Sequence, residues 1–232
     1  MRSGFDLDAT WDAIDHIDDL IEGRIEYAFS DDFGYLTACP TNVGTGMRAS
    51  VLIHLPSLVL TKQIGRVLQG ITQVGLAVRG FYGEGSQIMG NFFQISNQTT
   101  LGQNERETID SLERVTKQII DSEQRARDEL LKDARVQIED KIWRAYGTLR
   151  HSRVISSQEV VNLSSAVRFG VALRIEGLAS VQTLNELLVR SQPAQLQVKA
   201  GRELEQRERN ILRAEYIRGL LDGGSVPVTR SN

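Results

Sequence analysis

The residue pattern changes character about halfway along the chain, and this change limits the possible folds more than any other feature. Up to about residue 132, short apolar stretches alternate with glycine-containing turns, which is typical of mixed strands and helices. From about residue 133 to 222 the pattern is helical and contains no clear strand. Breaks between these helices are expected near Gly147, Ser156-Ser157, Gly177 and Pro193. We therefore predict an α+β domain over 1–132, an all-α domain over 133–222 and a disordered tail over 223–232.

The first predicted element is an amphipathic helix from Asp8 to Glu22, with Asp8 as its N-cap and Gly23 as its stop. Its apolar residues recur at three- and four-residue spacing, and its acidic residues are interpreted as a solvated face. The elements predicted after it are a hairpin with strands 24–29 and 35–38, a strand 49–55, a helix 56–73, strands 74–78 and 91–96, and a helix 105–132.

Composition excludes several classes of function. Lysine and arginine number 27 against 30 aspartates and glutamates, so the net charge of −3 gives no electrostatic case for nucleic acid or an anionic membrane. No apolar run reaches the length of a membrane span, and the N-terminal residues lack the apolar region of a signal peptide. A single cysteine cannot form an internal disulfide. Together these features predict a cytoplasmic protein.

One stretch, residues 37–50, carries the clearest chemical signal. It contains the only cysteine, Cys39, and it interrupts what we expect to be a buried β region. Gly44 and Gly46 allow a tight turn with positive φ and a close approach to a ligand, and Arg48 adds a permanent cation. A thiol and a guanidinium beside such a turn suggest an anionic substrate handled next to a reactive sulfur. Composition alone leaves open that Cys39 is a small buried hydrophobe.

The run CPTNVGTGMRAS at 39–50 closely resembles the cysteine signature of ATP:guanido phosphotransferases, the phosphagen kinase family. A second match is RGFYGEGS at 79–86, which with NFFQISNQTTLG at 91–102 and the helical C-terminal region is similar to the bacterial protein arginine kinases. The resemblance implies the antiparallel sheet flanked by helices of a phosphagen kinase catalytic domain. It also implies that ATP and Mg²⁺ take part and that the γ-phosphoryl group moves to a guanidino nitrogen.

The resemblance assigns roles to particular residues. Cys39 and Glu84 would be catalytic, since a carboxylate and a thiolate can grip a guanidinium, and Thr41 would help to keep the thiol ionised. Arg48 and Arg79 would neutralise phosphate charge during transfer. The implied ATP-contacting residues are Arg48, Ala49, Ser50, Val51, Leu52, Arg79, Gly80, Phe81, Tyr82, Gly83 and Glu84. No metal-ligating side chain is predicted.

The sequence departs from the family in two places. The arginine-containing SSRIR-type segment and the acidic NEEDH-type box, which supplies the catalytic base, do not occur, so we expect the chain to lack the N-terminal part of the enzyme. The phosphoarginine-binding RDxxRA motif corresponds here to Arg209, Asn210, Arg213 and Ala214, with Asn210 in place of the aspartate. An amide can still accept a hydrogen bond from a guanidinium but loses the charge-assisted pairing. The alternative interpretation of this run is an exposed helix face.

The resemblance implies a protein arginine kinase that marks proteins with exposed arginines for a Clp-type protease in a bacterial stress response. The resemblance further implies a heat-shock repressor and an activator protein as partners. Whether the protein forms a homo-oligomer is left open by the sequence. The alternative function is an inactive fragment or adaptor that binds phosphoarginine or a protease partner through its helical domain. A small-molecule guanidino kinase is disfavoured by the helical extension.

Overall fold

The computed structural model describes residues 2–80 and 89–222, and the chain divides into two compact units. The first unit is Met1–Gln87 with Phe92–Ala126, and the second is Ile88–Asn91 with Arg127–Asn232. Every strand among the described residues belongs to the first unit, and all strand pairs are antiparallel. The predicted α+β class followed by a helical region is therefore confirmed, whereas the domain boundaries at 132 and 222 and the roles given to the domains stay predictions.

The helices and strands of the described residues are, in chain order, α1 (Leu7–Glu22), β1 (Phe29–Ser30), β2 (Gly34–Tyr35), β3 (Ser50–His54), α2 (Pro56–Leu60), α3 (Ile64–Gln73), β4 (Leu76–Arg79), β5 (Phe92–Asn97), α4 (Glu105–His151), α5 (Ser157–Ala172), α6 (Val181–Arg190), α7 (Pro193–Ala200) and α8 (Gln206–Leu221). The predicted disordered tail at 223–232 and the glycine loop after Gly80 lie outside the described residues.

A three-stranded sheet in the order β3–β5–β4 forms the centre of the first unit. Ile95 of β5 pairs with Val51 on one side and with Val78 on the other, and all three side chains pack toward the core. That core is completed by apolar residues of α2, α3 and α4, among them Leu58, Ile71 and Leu112.

Helix α1 has a different N-cap from the predicted one. Its N-cap is Asp6, whose carboxylate accepts a hydrogen bond from the Ala9 N–H at 2.9 Å, whereas the predicted cap, Asp8, pairs with Arg106 at 2.6 Å. The shift arises because a cap must precede the first turn and accept from the third residue after it, a geometry that Asp6 and not Asp8 achieves here. In addition, no residue of α1 is buried.

The single helix predicted over 56–73 is two helices, α2 and α3, separated by a turn in which Lys62 has φ of +59°. A residue in this left-handed conformation ends a helix, because the regular hydrogen-bond pattern cannot continue through it. The first N–H groups of α2 are held by a buried carboxylate of α4: Glu123 accepts from the Ser57 N–H at 2.8 Å and from the Leu58 N–H at 2.9 Å. This long-range cap has no local sequence signal.

Helix α4 has non-helical φ and ψ at Ala134, where two helical segments meet at a kink, so a break does occur close to the end predicted at Lys132. The second segment runs to His151, so the break predicted near Gly147 is wrong. The other breaks are confirmed. Ser156 caps α5 in a reciprocal capping box with Glu159, and hydrogen bonds from Ser156 lower the pKa of that carboxyl. Among residues 2–80 and 89–222, no helix is long and apolar enough to cross a membrane.

Candidate functional site

The cysteine stretch forms a short 3₁₀ turn, Pro40–Asn42, that begins directly after Cys39. The Cys39 side chain is exposed, and its Sγ lies 3.0 Å from the Thr41 Oγ1, where either atom can donate. The predicted contact between the thiol and Thr41 is therefore present. The exposure also shows that Cys39 is not a buried hydrophobe. The expected burial is wrong before the stretch, where Leu36 is 46% exposed, whereas Val51 and Ile53 after it pack against the core.

The turn is fastened to the segment that follows β5. Thr100 Oγ1 lies 2.7 Å from the Val43 carbonyl oxygen and 3.1 Å from that of Thr41, and its own carbonyl accepts from the Thr45 N–H at 2.9 Å. Gly44 has φ of +112°, and a Cβ at this position would lie 2.1 Å from the Thr100 carbonyl oxygen. The close approach predicted for the glycine turn therefore exists, but its partner is the protein's own backbone rather than a ligand.

Asn97, at the end of β5, forms hydrogen bonds to the start of the first predicted ATP-contacting segment. Its side-chain oxygen accepts from the Ala49 N–H at 2.9 Å, and its amide nitrogen donates to the Met47 carbonyl at 3.0 Å. The two bonds enclose Arg48, which is exposed, and fix the backbone on either side of it. One turn, from Asn97 to Thr100, thus positions both the cysteine turn and the arginine. Sequence reasoning missed both residues because each acts across about 50 positions of the chain.

The strand register brings the two predicted ATP-contacting segments together. Gln94 of β5 pairs with Leu52 of β3 and with Arg79 of β4, and residues paired in antiparallel strands project from the same face. Ser50 lies on this face too, since its Oγ accepts from the Gln94 Nε2 at 3.0 Å. Val51 points to the other face and packs toward the core, so its side chain is not available to a ligand on the Arg79 side.

The remaining residues of the second segment, Phe81, Tyr82, Gly83 and the proposed catalytic Glu84, lie outside the described residues. Gly80 is described and buried. The site that the structure describes therefore consists of the exposed thiol, Arg48 after the glycine turn, and a sheet face with Ser50, Leu52 and Arg79. It adds one residue that the sequence did not single out, Gln94, which lies between Ser50 and Arg79.

The predicted phosphoarginine-binding run begins in the first turn of α8. Arg213 is only 1% exposed, and it donates to the carbonyl oxygens of Ser191 at 2.8 Å and Ile155 at 3.0 Å and to the Asn210 Oδ1 at 2.6 Å. The Asn210 amide does accept from a guanidinium, as expected, but that guanidinium belongs to the protein. Ala214 is buried, and Arg209 donates to the Leu204 carbonyl. Phosphoarginine binding by this run stays a prediction.

Comparison with known proteins agrees with both halves of this description. Residues 1–126 match the family model "ATP:guanido phosphotransferase, C-terminal catalytic domain", and residues 135–231 match "Protein-arginine kinase McsB C-terminal domain". The protein-arginine kinase of Caldanaerobacter subterraneus subsp. tengcongensis is 52% identical over 92% of this chain and 63% of its own length. That of Symbiobacterium thermophilum is 52% identical over 95% of this chain and 63% of its own length.

Among solved structures, the duplicated taurocyamine kinase from Schistosoma mansoni with bound transition state analog components is 31% identical, with a TM-score of 0.47 over 53% of this chain and 17% of that chain. The chain spans a little under two thirds of the length of the curated relatives it matches. The family model alone covers more than half of the chain, and it matches the segments that carry the exposed thiol and both arginines. The chain belongs to the ATP:guanido phosphotransferase family.

Proposed function

We propose that this chain contributes the C-terminal catalytic and helical portions of a protein arginine kinase, which transfers the γ-phosphoryl group of ATP to arginine side chains of proteins. The observation that carries the proposal is that one polypeptide contains two matches. Residues 1–126 match the phosphotransferase catalytic domain, and residues 135–231 match the C-terminal domain of protein-arginine kinases. Relatives named protein-arginine kinase are similar across both segments.

The geometry suits the chemistry. In the transfer a guanidino nitrogen attacks the γ-phosphorus, the bond from that phosphorus to the ADP oxygen breaks, and the guanidinium loses a proton to a base. Arg48 and Arg79 would offset charge on the phosphates, and the exposed Cys39 thiolate with Glu84 would hold the guanidinium. Mg²⁺ would be bound through the phosphates of ATP, as is usual for this ion, and not by a cage of side chains.

We further propose that the modified proteins pass to a Clp-type protease in the cytoplasm of a stressed cell, with a heat-shock repressor and an activator protein as partners. The second candidate function is an adaptor that binds phosphoarginine or a protease partner without catalysis. The observation that supports it is that residues 135–231 match the C-terminal domain of protein-arginine kinases separately from the phosphotransferase match at 1–126. The two functions differ in whether a phosphoramidate is made.

The test is incubation of the full chain with ATP, Mg²⁺ and an arginine-rich protein, followed by measurement of acid-labile phosphate. Arg79→Ala should lower both product formation and ATP affinity, whereas Arg66→Ala, an equal charge change on the exposed side of α3, should change neither. Each variant is compared with the unchanged chain in the same assay. Failure to form product, combined with binding of a phosphoarginine peptide, would support the adaptor.

A further inference from the structure

The short segment Ile88–Asn91 belongs to the second unit, although it directly precedes β5 of the first. Within it, Gly90 and Asn91 have φ of +60° and +59°, so two successive residues occupy the left-handed region. Glycine adopts this conformation freely, and asparagine is one of the few other residues that tolerate it. Such a pair forms a tight turn, which persists only where surrounding contacts hold it.

Two hydrogen bonds to α5 hold this turn. The Gly90 N–H donates to the Asn162 Oδ1 at 3.2 Å, and the Asn91 Nδ2 donates to the Ser165 Oγ at 3.0 Å. Asn162 and Ser165 are three positions apart, so they lie on the same side of the helix. Gly90 is buried and Ser165 is 1% exposed, so the removal of either side chain of α5 would leave a shielded polar group of the turn without that partner.

The turn leads directly into the candidate site. Asn91 is followed by Phe92, the first residue of β5, which is the central strand of the three-stranded sheet. Phe92 pairs with His54, and the two rings lie with their centroids 4.8 Å apart. Two residues further on, Gln94 pairs with Arg79. The turn therefore fixes the backbone two residues before the strand partner of Arg79.

The two ends of β5 are held by different contacts. At the far end, Asn97 bonds to the backbone on either side of Arg48, and these bonds lie within the first unit. At the near end, the turn that precedes β5 is held by α5 of the second unit. The two predicted phosphate-binding arginines thus depend on separate supports, Arg48 on Asn97 and Arg79 on the turn that α5 holds.

From these contacts we propose that Asn162 and Ser165 of α5 are positioning residues for the Arg79 end of the candidate site. They act through the turn at Gly90 and Asn91 and do not touch a substrate. A guanidinium that neutralises charge during phosphoryl transfer contributes only when it is held close to its productive position, so loosening the start of β5 should slow the transfer. The inference rests on the proposed function in one respect, the role given to Arg79.

Helix α5 itself supplies matched controls. Ser164 and Ser165 are adjacent and each 1% exposed, but the Ser164 Oγ has no hydrogen-bond partner among the described residues. Ser165→Ala therefore removes a hydroxyl that holds the turn, and Ser164→Ala removes one that does not. Gln158→Ala, at an exposed amide one turn earlier, is the control for Asn162→Ala. Asn162→Asp keeps an oxygen that can accept from the Gly90 N–H, so it is the rescue variant.

Hydrogen exchange of the full chain without ATP measures the positioning directly. Ser165→Ala and Asn162→Ala should each accelerate exchange of the backbone amides at 92–94 about 5-fold, the ratio that corresponds to a lost hydrogen bond of about 1 kcal/mol. The amides of Thr45 and Ala49 should exchange as before, because their acceptors lie beyond the far end of β5 or at its last residue. The two control variants and the rescue variant should match the unchanged chain throughout.

Phosphoramidate formation is the second readout. Ser165→Ala and Asn162→Ala should lower kcat about 5-fold and change the KM for ATP less than about twofold, because Arg48 keeps its support, and Asn162→Asp should restore kcat. A purely structural role would not produce this split or the rescue. The proposal is overturned by equal exchange at 92–94 in all variants, by exchange accelerated equally throughout the chain, or by an unchanged kcat. A chain that forms no product contradicts the proposed function instead, and exchange then decides the positioning role.

Discussion

Replacing Gly44 by alanine should disrupt the cysteine turn more than any other single-methyl change in it. Two costs combine. A non-glycine residue at φ of +112° costs about 1–3 kcal/mol, and the added Cβ would lie 2.1 Å from the Thr100 carbonyl oxygen, so that backbone must move. The movement breaks the 2.9 Å bond from the Thr45 N–H to that oxygen, worth about 1 kcal/mol. The expected loss in the free energy of unfolding is the sum of these costs, about 2–4 kcal/mol.

Two other glycines provide matched controls. Gly46 has φ of +63°, but a Cβ there meets nothing closer than the Tyr35 Cβ at 3.9 Å, so Gly46→Ala should cost only about 1–2 kcal/mol of backbone strain. Gly65 lies in α3 with open space around it, and Gly65→Ala should stabilise the protein by up to about 1 kcal/mol. The three variants add the same methyl group in three environments.

Urea unfolding of the first unit measures the three effects. With a slope of about 2 kcal/mol per molar, the midpoint should fall by about 1–2 M for Gly44→Ala and by less than about 1 M for Gly46→Ala. Hydrogen exchange at the Thr45 amide should accelerate in Gly44→Ala beyond what global unfolding explains. Equal midpoints for Gly44→Ala and Gly46→Ala would refute the close approach to Thr100.

Three further predictions concern buried polar groups. Glu123→Ala should lower the free energy of unfolding by about 2–4 kcal/mol, because it leaves two buried N–H groups of α2 without an acceptor. Glu123→Gln should cost less, and comparing the urea unfolding midpoints of the two variants tests this. Arg213→Lys should cost about 2 kcal/mol, because an ammonium group cannot reproduce the guanidinium's bonds to two separate carbonyl oxygens; a near-ultraviolet melt that matches the unchanged chain would contradict this. Burial and Glu186 raise the pKa of Tyr216 from 10.0 to about 12, so its contribution to stability is complete below pH 10 and is lost between pH 10 and 12; Tyr216→Phe should flatten the fall of the urea midpoint across that range.

Much of the secondary structure follows from local sequence. The capping box at Ser156 and Glu159 and the proline that opens α7 are short-range signals, and the structure places helix starts at both. Within long helical stretches, the sequence was less informative about where one helix ends and the next begins. Gly147 does not break α4 because a lone glycine costs a long helix only about 1 kcal/mol. The neighbouring Ala145, Tyr146 and Leu149 pack against apolar residues of α5, α6 and α8, which offsets that cost.

In the candidate site, too, local motifs were predicted and long-range contacts were not. Cys39, Arg48 and Arg79 were identified from short motifs, because a thiol and guanidinium groups near glycine turns form patterns within ten residues. Thr100, Asn97 and Gln94 were not identified, because their contacts join β3 and the cysteine turn to β5 across about 45 to 60 positions. Hydrogen bonds over such separations depend on the strand register, which a single sequence specifies only through its buried face.

The sequence by itself determined the family motifs, the order of strands and helices, and the glycine turn at Gly44, since these depend on neighbouring residues and on backbone sterics. The tertiary structure alone decided which polar groups are buried and which apolar groups are not. Arg213 belongs to the run predicted to bind phosphoarginine, yet it is buried and donates to three oxygens of the protein itself. The apolar side of α1 is patterned like a packed helix, yet among the described residues only its first residue, Leu7, packs against the core, while Ile14, Ile17, Leu20 and Ile21 stay exposed.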